Sequence, residues 1–164
     1  MTPRETMPLD AIDLRLLDEL QRDAARSNQA LADAVHVSAA TALRRIKRMA
    51  DAGVIERTVA VLSPEALGHG LTAIAEVTLD TQSVERLSAF EARAVADAAV
   101  QQCYRTQGGP DFVLVAQVAD MPAYQAMAQR LFTSDANVRN IKAFFSLKRA
   151  KFDPRLSLPP TSVR

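Results

Sequence analysis

The sequence predicts an α+β chain in which three short helices precede a second domain built as βαββαβ. Three observations predict it. Up to Gly53 the apolar residues recur at helical spacing. From Leu71 the period switches to two and then alternates between strand and helix. Gly, Pro and Ser cluster where the period changes, as turns require. A chain of 164 residues suits two modest domains.

Leu9, Ile12, Leu16 and Leu20 line one face of an amphipathic helix of about three turns, with Asp10, Asp13, Arg15, Asp18 and Glu19 expected on its other faces. The early carboxylates suit the positive end of the helix dipole. Ser27 or Asn28 caps a second helix through Leu31, Ala32 and Val35, which stops near His36. Ser38 caps a third, in which Leu43, Ile46 and Met49 are expected to face the core, until Gly53 ends it. Only about three residues separate the second helix from the third, so the corner is tight. Short amphipathic helices around such a corner make a helix-turn-helix.

Val54, Ile55, Val59 and Val61 alternate like a strand, and Ser63-Pro64 with Gly68 and Gly70 reads as a linker. Leu71, Ala73, Ala75, Val77 and Leu79 form a strand with one wet face. A helix from about Ser83 to Val95 follows, with Val84, Leu87, Phe90 and Ala94 on one side. A strand over Val100 to Thr106, the turn Gly108-Gly109-Pro110, and a strand through Phe112, Leu114, Ala116 and Val118 make a hairpin. Asp120 caps the next helix, which tolerates Pro122 in its first turn and points Met121, Tyr124, Met127 and Leu131 inward. The last strand is expected over Val138 to Lys148.

The order βαββαβ is ferredoxin-like, with helices on one face of an antiparallel sheet and the other face bare. Ile74, Phe144 and Val113 or Val115 would put apolar surface on that bare face, which predicts pairing with a second copy. The boundaries read as residues 1–62 for the helix-turn-helix domain with a linker strand, 63–70 for the linker, 71–152 for the βαββαβ domain, and 153–164 for a C-terminal tail.

Composition narrows the function. With 48% hydrophobic and 24% charged residues, and no apolar run near the roughly 20 residues of a membrane span, a cytoplasmic protein is expected. Residues Met1 to Leu9 lack the apolar core of an export signal. The single cysteine, Cys103, cannot form an internal disulfide, and no Cys/His spacing suits a metal, so no cofactor is called for. Residues 1–58 carry nine basic and nine acidic side chains, so DNA binding must rest on where charge sits.

It sits on the third helix, where Arg44, Arg45, Lys47 and Arg48 place four cations in five residues. With Ser38, Ala40 and Thr41 at the leading end, these are the candidate DNA-binding residues. Small or hydroxyl side chains can enter the major groove, and long cations reach bases or phosphates. Taken alone, the run would read equally well as a solvated helix face.

The residues resemble the Lrp/AsnC (leucine-responsive, feast/famine) transcription regulators. The resemblance lies in Leu9-Asp10, Asp13, Leu16-Leu17, Leu20-Gln21 and Asp23, Leu31-Ala32, Val37-Ser38, Arg45-Ile46, Gly53-Val54-Ile55, Gly109-Pro110-Asp111-Phe112, and Asp120-Met121 with Tyr124, in order over about residues 8–152. It implies a winged-helix-type DNA-binding domain and a ligand-sensing domain that forms dimers and then octamers or larger assemblies. It also implies an amino acid or related small molecule as effector. Where the family usually has Gly between helices two and three, this chain has His36; where it often has Pro after the serine, it has Ala39. His36 is read as a turn residue.

The hairpin Gln107 to Asp111 matches the family's effector loop. Gly108, Gly109 and Pro110 allow close approach of backbone N–H groups, and Asp111 could pair with an ammonium, although Gly-Gly-Pro-Asp is also ordinary turn composition. Tyr104, Thr106, Met121, Tyr124 and Ser146 are the neighbouring candidates. The loop holds no Lys or Arg for a carboxylate, which leaves that contact to a second subunit. Two alternatives stand beside a DNA-binding regulator: a ligand-sensing scaffold without specific DNA binding, and an enzyme akin to the haem-precursor decarboxylases of similar two-domain build. The latter would need a titratable pocket, and the only histidines are His36 and His69.

Overall fold

The helices form where their caps can close them. In the computed structural model, which describes residues 7–159, α1 spans Ala11–Arg22, α2 Asn28–Val35 and α3 Ala39–Asp51. Asp10 caps α1 by accepting the Ile12 and Asp13 N–H groups, and Asp13 returns the bond to the Asp10 N–H, a capping box. Ser27 caps α2 and Ser38 caps α3, each through the N–H three residues on. Gly53, at φ 72°, turns the chain out of α3.

Leu16, Leu17, Leu31, Ala32, Val35, Ala42 and Met49 form the core of this unit. Three details depart from the periodic reading. Leu43 is exposed, because the buried stripe of α3 runs through Ala42, Ile46 and Met49, and the small Ala42 takes the closest contact. Asp13 is fully buried rather than on a wet face. Residues 54–61 do not form a strand: Val59 and Val61 are exposed, and a single extended segment has no ladder without a partner.

The chain divides into two compact units, one running to Val61 and rejoined by the chain at Phe152, the other spanning Leu62–Lys151. The described part of the segment read as a tail, residues 153–159, therefore belongs to the first unit, and residues 160–164 lie outside the described residues. Gln21 donates its side-chain amide to the Leu156 carbonyl and accepts the Leu156 N–H at 2.6 Å, and Leu158 joins the helical core.

In the second unit β1 spans Leu71–Leu79, α4 Val84–Ala96, β2 Val100–Arg105, β3 Phe112–Val118, α5 Met121–Ala128 and β4 Val138–Phe145. The last turns after α5, Gln129–Thr133, widen to a π-helix. All strands pair antiparallel in the order β2-β3-β1-β4, the ferredoxin-like arrangement. Ala75, Val77, Phe112 and Leu114 on one face pack against Leu87, Phe90, Met127, Leu131 and Phe132. Phe90 and Phe112 meet at 4.8 Å between ring centroids, inside the range of favourable aromatic pairs.

The opposite face carries one apolar row across three strands, since Ile74 pairs with both Val115 and Phe144. Beside it Glu76 pairs with Val113 and Lys142. Val84 and Met121, expected to share the packed face of their helices, are exposed; each is the first residue of its helix. β4 ends at Phe145, short of Lys148, where the ladder runs out at the start of β1. No helix among the described residues is long and apolar enough to cross a membrane.

Candidate nucleic-acid interface and effector cleft

The corner between α2 and α3 rests on His36, whose backbone is left-handed at φ 59° and ψ 51°. Its N–H and that of Val37 bond back to the last turn of α2, at 3.2 Å to the Asp33 carbonyl and 3.0 Å to the Ala32 carbonyl. One turn residue later Ser38 starts α3, its hydroxyl accepting the Thr41 N–H and donating to the Thr41 hydroxyl at 2.9 Å. The leading end of α3 thus presents Ser38, Ala40 and Thr41, with Leu43, Arg44, Lys47 and Arg48 exposed along its length. Among the described residues Arg44 and Lys47 make no ion pair, so both are available to an anion.

Arg45 is different. Its Nη1 donates to Asp10 Oδ2 at 2.6 Å and to Asp13 Oδ1 at 2.9 Å, and its side chain is only 21% exposed. This guanidinium ties α3 to α1 and is withdrawn from the outer face, which sets it apart from the other candidate DNA-binding cations. Arg48 is intermediate: Nη2 donates to Asp13 Oδ2 at 2.5 Å, yet half the side chain remains exposed. Asp10 feels partial desolvation, which raises its pKa, but the Asp13 N–H, Arg45 and the Ile12 N–H together hold it below the ordinary carboxylate value. Leu43 is an outward residue that periodicity assigned to the core; its only sequence signal is Ala42 beside it, small enough for close helix packing.

In the second unit the β2–β3 hairpin closes through backbone bonds. Thr106 N–H donates to the Asp111 carbonyl at 2.9 Å, the Thr106 hydroxyl donates to the Pro110 carbonyl, and Gly108 adopts φ 85°, which favours glycine. Asp111 fastens the hairpin to β1: its N–H donates to the Val77 carbonyl at 2.9 Å and its Oδ2 accepts the Leu79 N–H at 2.7 Å. One carboxylate oxygen expected to meet an ammonium is therefore used in holding the loop.

An open cleft of about 710 Å³ lies here, lined by Gln82, Leu87, Arg105, Thr106, Gln107, Gly108, Gly109 and Asp111. Arg105 places a cation beside the loop, and among the described residues its one ion pair is with Glu91 at 4.0 Å. The candidates Tyr104 and Thr106 flank it in the sequence, and only the strand's facing separates Arg105 from Tyr104.

Of the other candidates, Pro110 is in the hairpin, while Tyr104, Met121, Tyr124 and Ser146 are not brought to this cleft. Tyr104 is next to Arg105, and successive strand residues point to opposite faces; its hydroxyl bonds Gln102 on the bare face at 2.9 Å. Met121 and Tyr124 follow the far end of β3, and Ser146 donates its N–H to Thr72 at the start of β1, a strand length from the hairpin. Tyr124 packs edge-on against Phe145 at 4.9 Å. Burial first, and then the Glu91 carboxylate, raise the Cys103 thiol above its ordinary pKa, so it is a poor nucleophile.

Known proteins match both units. A winged helix-turn-helix DNA-binding family matches residues 9–56, and the Lrp/AsnC ligand binding domain matches residues 72–156. The chain is 34% identical to a leucine-responsive regulatory protein of Rhizobium meliloti, over 87% of this chain and 92% of that one. It is 33% identical to the DNA-binding transcriptional activator DecR of Escherichia coli K12, over 92% and 99%. Among solved structures, a Neisseria meningitidis transcriptional regulator in complex with L-Met superposes with a TM-score of 0.85 at 30% identity, covering 92% of this chain and 97% of that one. The helix-turn-helix, the ferredoxin-like sheet and these matches agree, and the chain belongs to the Lrp/AsnC family of transcriptional regulators.

Proposed function

We propose that this protein binds duplex DNA as a homodimer through paired α3 helices and that a free amino acid, held in the hairpin cleft, modulates that binding. The observation that carries the reading is the division of labour on α3: Arg45 is locked inside the unit, while Ala40, Leu43, Arg44, Lys47 and Arg48 face outward behind a Ser38 cap. Ser38, Thr41 and the free N–H groups of the helix start contact phosphate. Arg44, Lys47 and Arg48 reach base edges or phosphates, and Leu43 is placed to meet a thymine methyl.

The apolar row Val115, Ile74 and Phe144 supports a sheet-to-sheet contact between copies, because such a row left in water is costly. Further assembly to an octamer follows the family. In the cleft, Arg105 meets the effector's carboxylate, the Gly108 and Gly109 backbone approaches it closely, and Leu87 faces its side chain. The L-Met complex of the Neisseria relative supports an amino acid as the class.

Selection of duplexes from a random library, followed by mobility shift, tests the first part. Exchanging Arg44 and Lys47 for Ala should abolish or strongly weaken operator binding while the far-UV circular dichroism stays unchanged; retained binding would remove α3 from the interface. Failure to select any preferred duplex favours the scaffold reading. A thermal-shift screen of amino acids tests the cleft, since a ligand of the folded state raises Tm, and Arg105→Ala should remove the shift. Sedimentation of Ile74→Glu tests the dimer: it should run as a smaller species than the parent.

A further inference from the structure

Asp13 is the one charged side chain fully buried among the described residues, and its carboxylate accepts three hydrogen bonds. Oδ1 accepts Arg45; Oδ2 accepts the Asp10 N–H at 3.1 Å and Arg48 at 2.5 Å. A buried carboxylate with two arginines is not needed for stability, since well-packed apolar side chains usually serve as well or better. Besides closing the capping box on the Asp10 N–H and tying α3 to α1 through Arg45, the carboxylate does one further thing that a leucine could not: it orients the Arg48 guanidinium. Arg48 commits one N–H to Asp13 and is half exposed, so the other donors of its planar fork are held at the outer face of α3 in a restricted set of rotamers.

We infer that Asp13 is a positioning residue for DNA recognition: it fixes Arg48 so that the outward edge of the guanidinium meets the DNA. The inference rests on the proposal that α3 is the reading helix. A second consequence concerns charge. Asp10 and Asp13 together match Arg45 and Arg48, so the run of four cations presents a local excess nearer two, carried by Arg44 and Lys47. The network thereby holds down binding to any duplex, which depends on charge, while keeping the oriented contact on which preference depends.

The test compares Asp13→Asn with Asp10→Asn in the full chain. Each adds one positive charge at the same network, and Asn remains a good N-cap at position 10. Binding is measured to a selected operator and to a scrambled duplex across a salt series. Both variants should tighten on scrambled DNA, with the salt slope steepening by up to about one. Only Asp13→Asn should lose operator preference, by about tenfold, because the aligned contact of one arginine is worth roughly that factor; Asp10→Asn should keep its preference within about twofold of the parent, as it leaves the Arg48 tether intact. Equal loss of affinity for both duplexes with Asp13→Asn, or an unchanged preference, overturns the inference. Should Asp13→Asn fail to fold, Arg48→Lys serves instead: it keeps the charge but not the fork, and must show the same loss of preference, an unchanged preference overturning the inference. If exchanging Arg44 and Lys47 for Ala leaves operator binding intact, the reading of α3 fails along with the inference. If that exchange abolishes binding while Asp13→Asn keeps its preference, only the role of Asp13 fails.

Discussion

Arg45→Ala separates a structural cation from a DNA-facing one on the same helix. The Arg45 side chain bridges a fully buried carboxylate and a half-exposed one, at 2.9 and 2.6 Å. The bond to buried Asp13 is of the charged kind that contributes about 1.5–3 kcal/mol, and that to Asp10 is screened and adds about 0.5 kcal/mol. Against this, Arg45 Nε is buried without a partner, an offset of about 1 kcal/mol that the substitution relieves. The net loss is about 2 kcal/mol, which for a domain of this size lowers Tm by about 8–16 °C. Urea unfolding followed by far-UV circular dichroism reads it directly. The two tyrosines, Tyr104 and Tyr124, both lie in the second unit, so their fluorescence gives an internal control that should not move. At temperatures where the variant is folded, its preference for operator over scrambled duplex should stay within about twofold of the parent, whereas Arg44→Ala should lose operator binding with little change in stability. Unchanged stability together with weakened DNA binding would refute the assignment of Arg45 to the interior.

His36 occupies a left-handed position that glycine adopts without a Cβ clash, so His36→Gly should raise the stability of the first unit by about 0.5–1 kcal/mol and His36→Val should lower it by about 1 kcal/mol, both read by urea midpoint. Because the folded protein holds the Asp10 carboxyl below its ordinary value near 3.8, its contribution is complete above that pH and is lost as pH falls through the folded pKa. Helical signal should therefore decline on acidification below about pH 4, and Asp10→Asn should remove part of that dependence. In the second unit, Asp111→Ala leaves the buried Leu79 N–H without its acceptor and should cost about 1–2 kcal/mol, detected by tyrosine fluorescence during unfolding. Asp111→Asn keeps an acceptor oxygen and should cost less.

Local chemistry was enough for the framework. Caps at Ser27, Ser38 and Asp120, Gly at 53 and 108, and the change of hydrophobic period at Leu71 mark most elements, because capping, left-handed turns and side-chain alternation act within a few residues, while Asp10 and Ser83, read as helical residues, are the caps of α1 and α4. The outward position of Arg44 and Lys47 and the hairpin at Gly108-Gly109 were legible for the same reason. Tertiary structure alone decided what depends on residues far apart in the chain. Asp13 and Arg48 are 35 positions apart, and nothing local marks a carboxylate on a charged-looking face as buried or tells Arg45 from Arg44. Gln21 and Leu156, 135 positions apart, turn an apparent tail into part of the first unit. Leu43 lost its place in the core to Ala42, and Val59 and Val61 remained unpaired, because burial and strand pairing require a partner surface that periodicity does not supply. Arg105 reached the cleft, and Tyr104 did not, through the pleat of a strand whose facing is set by its neighbour β3.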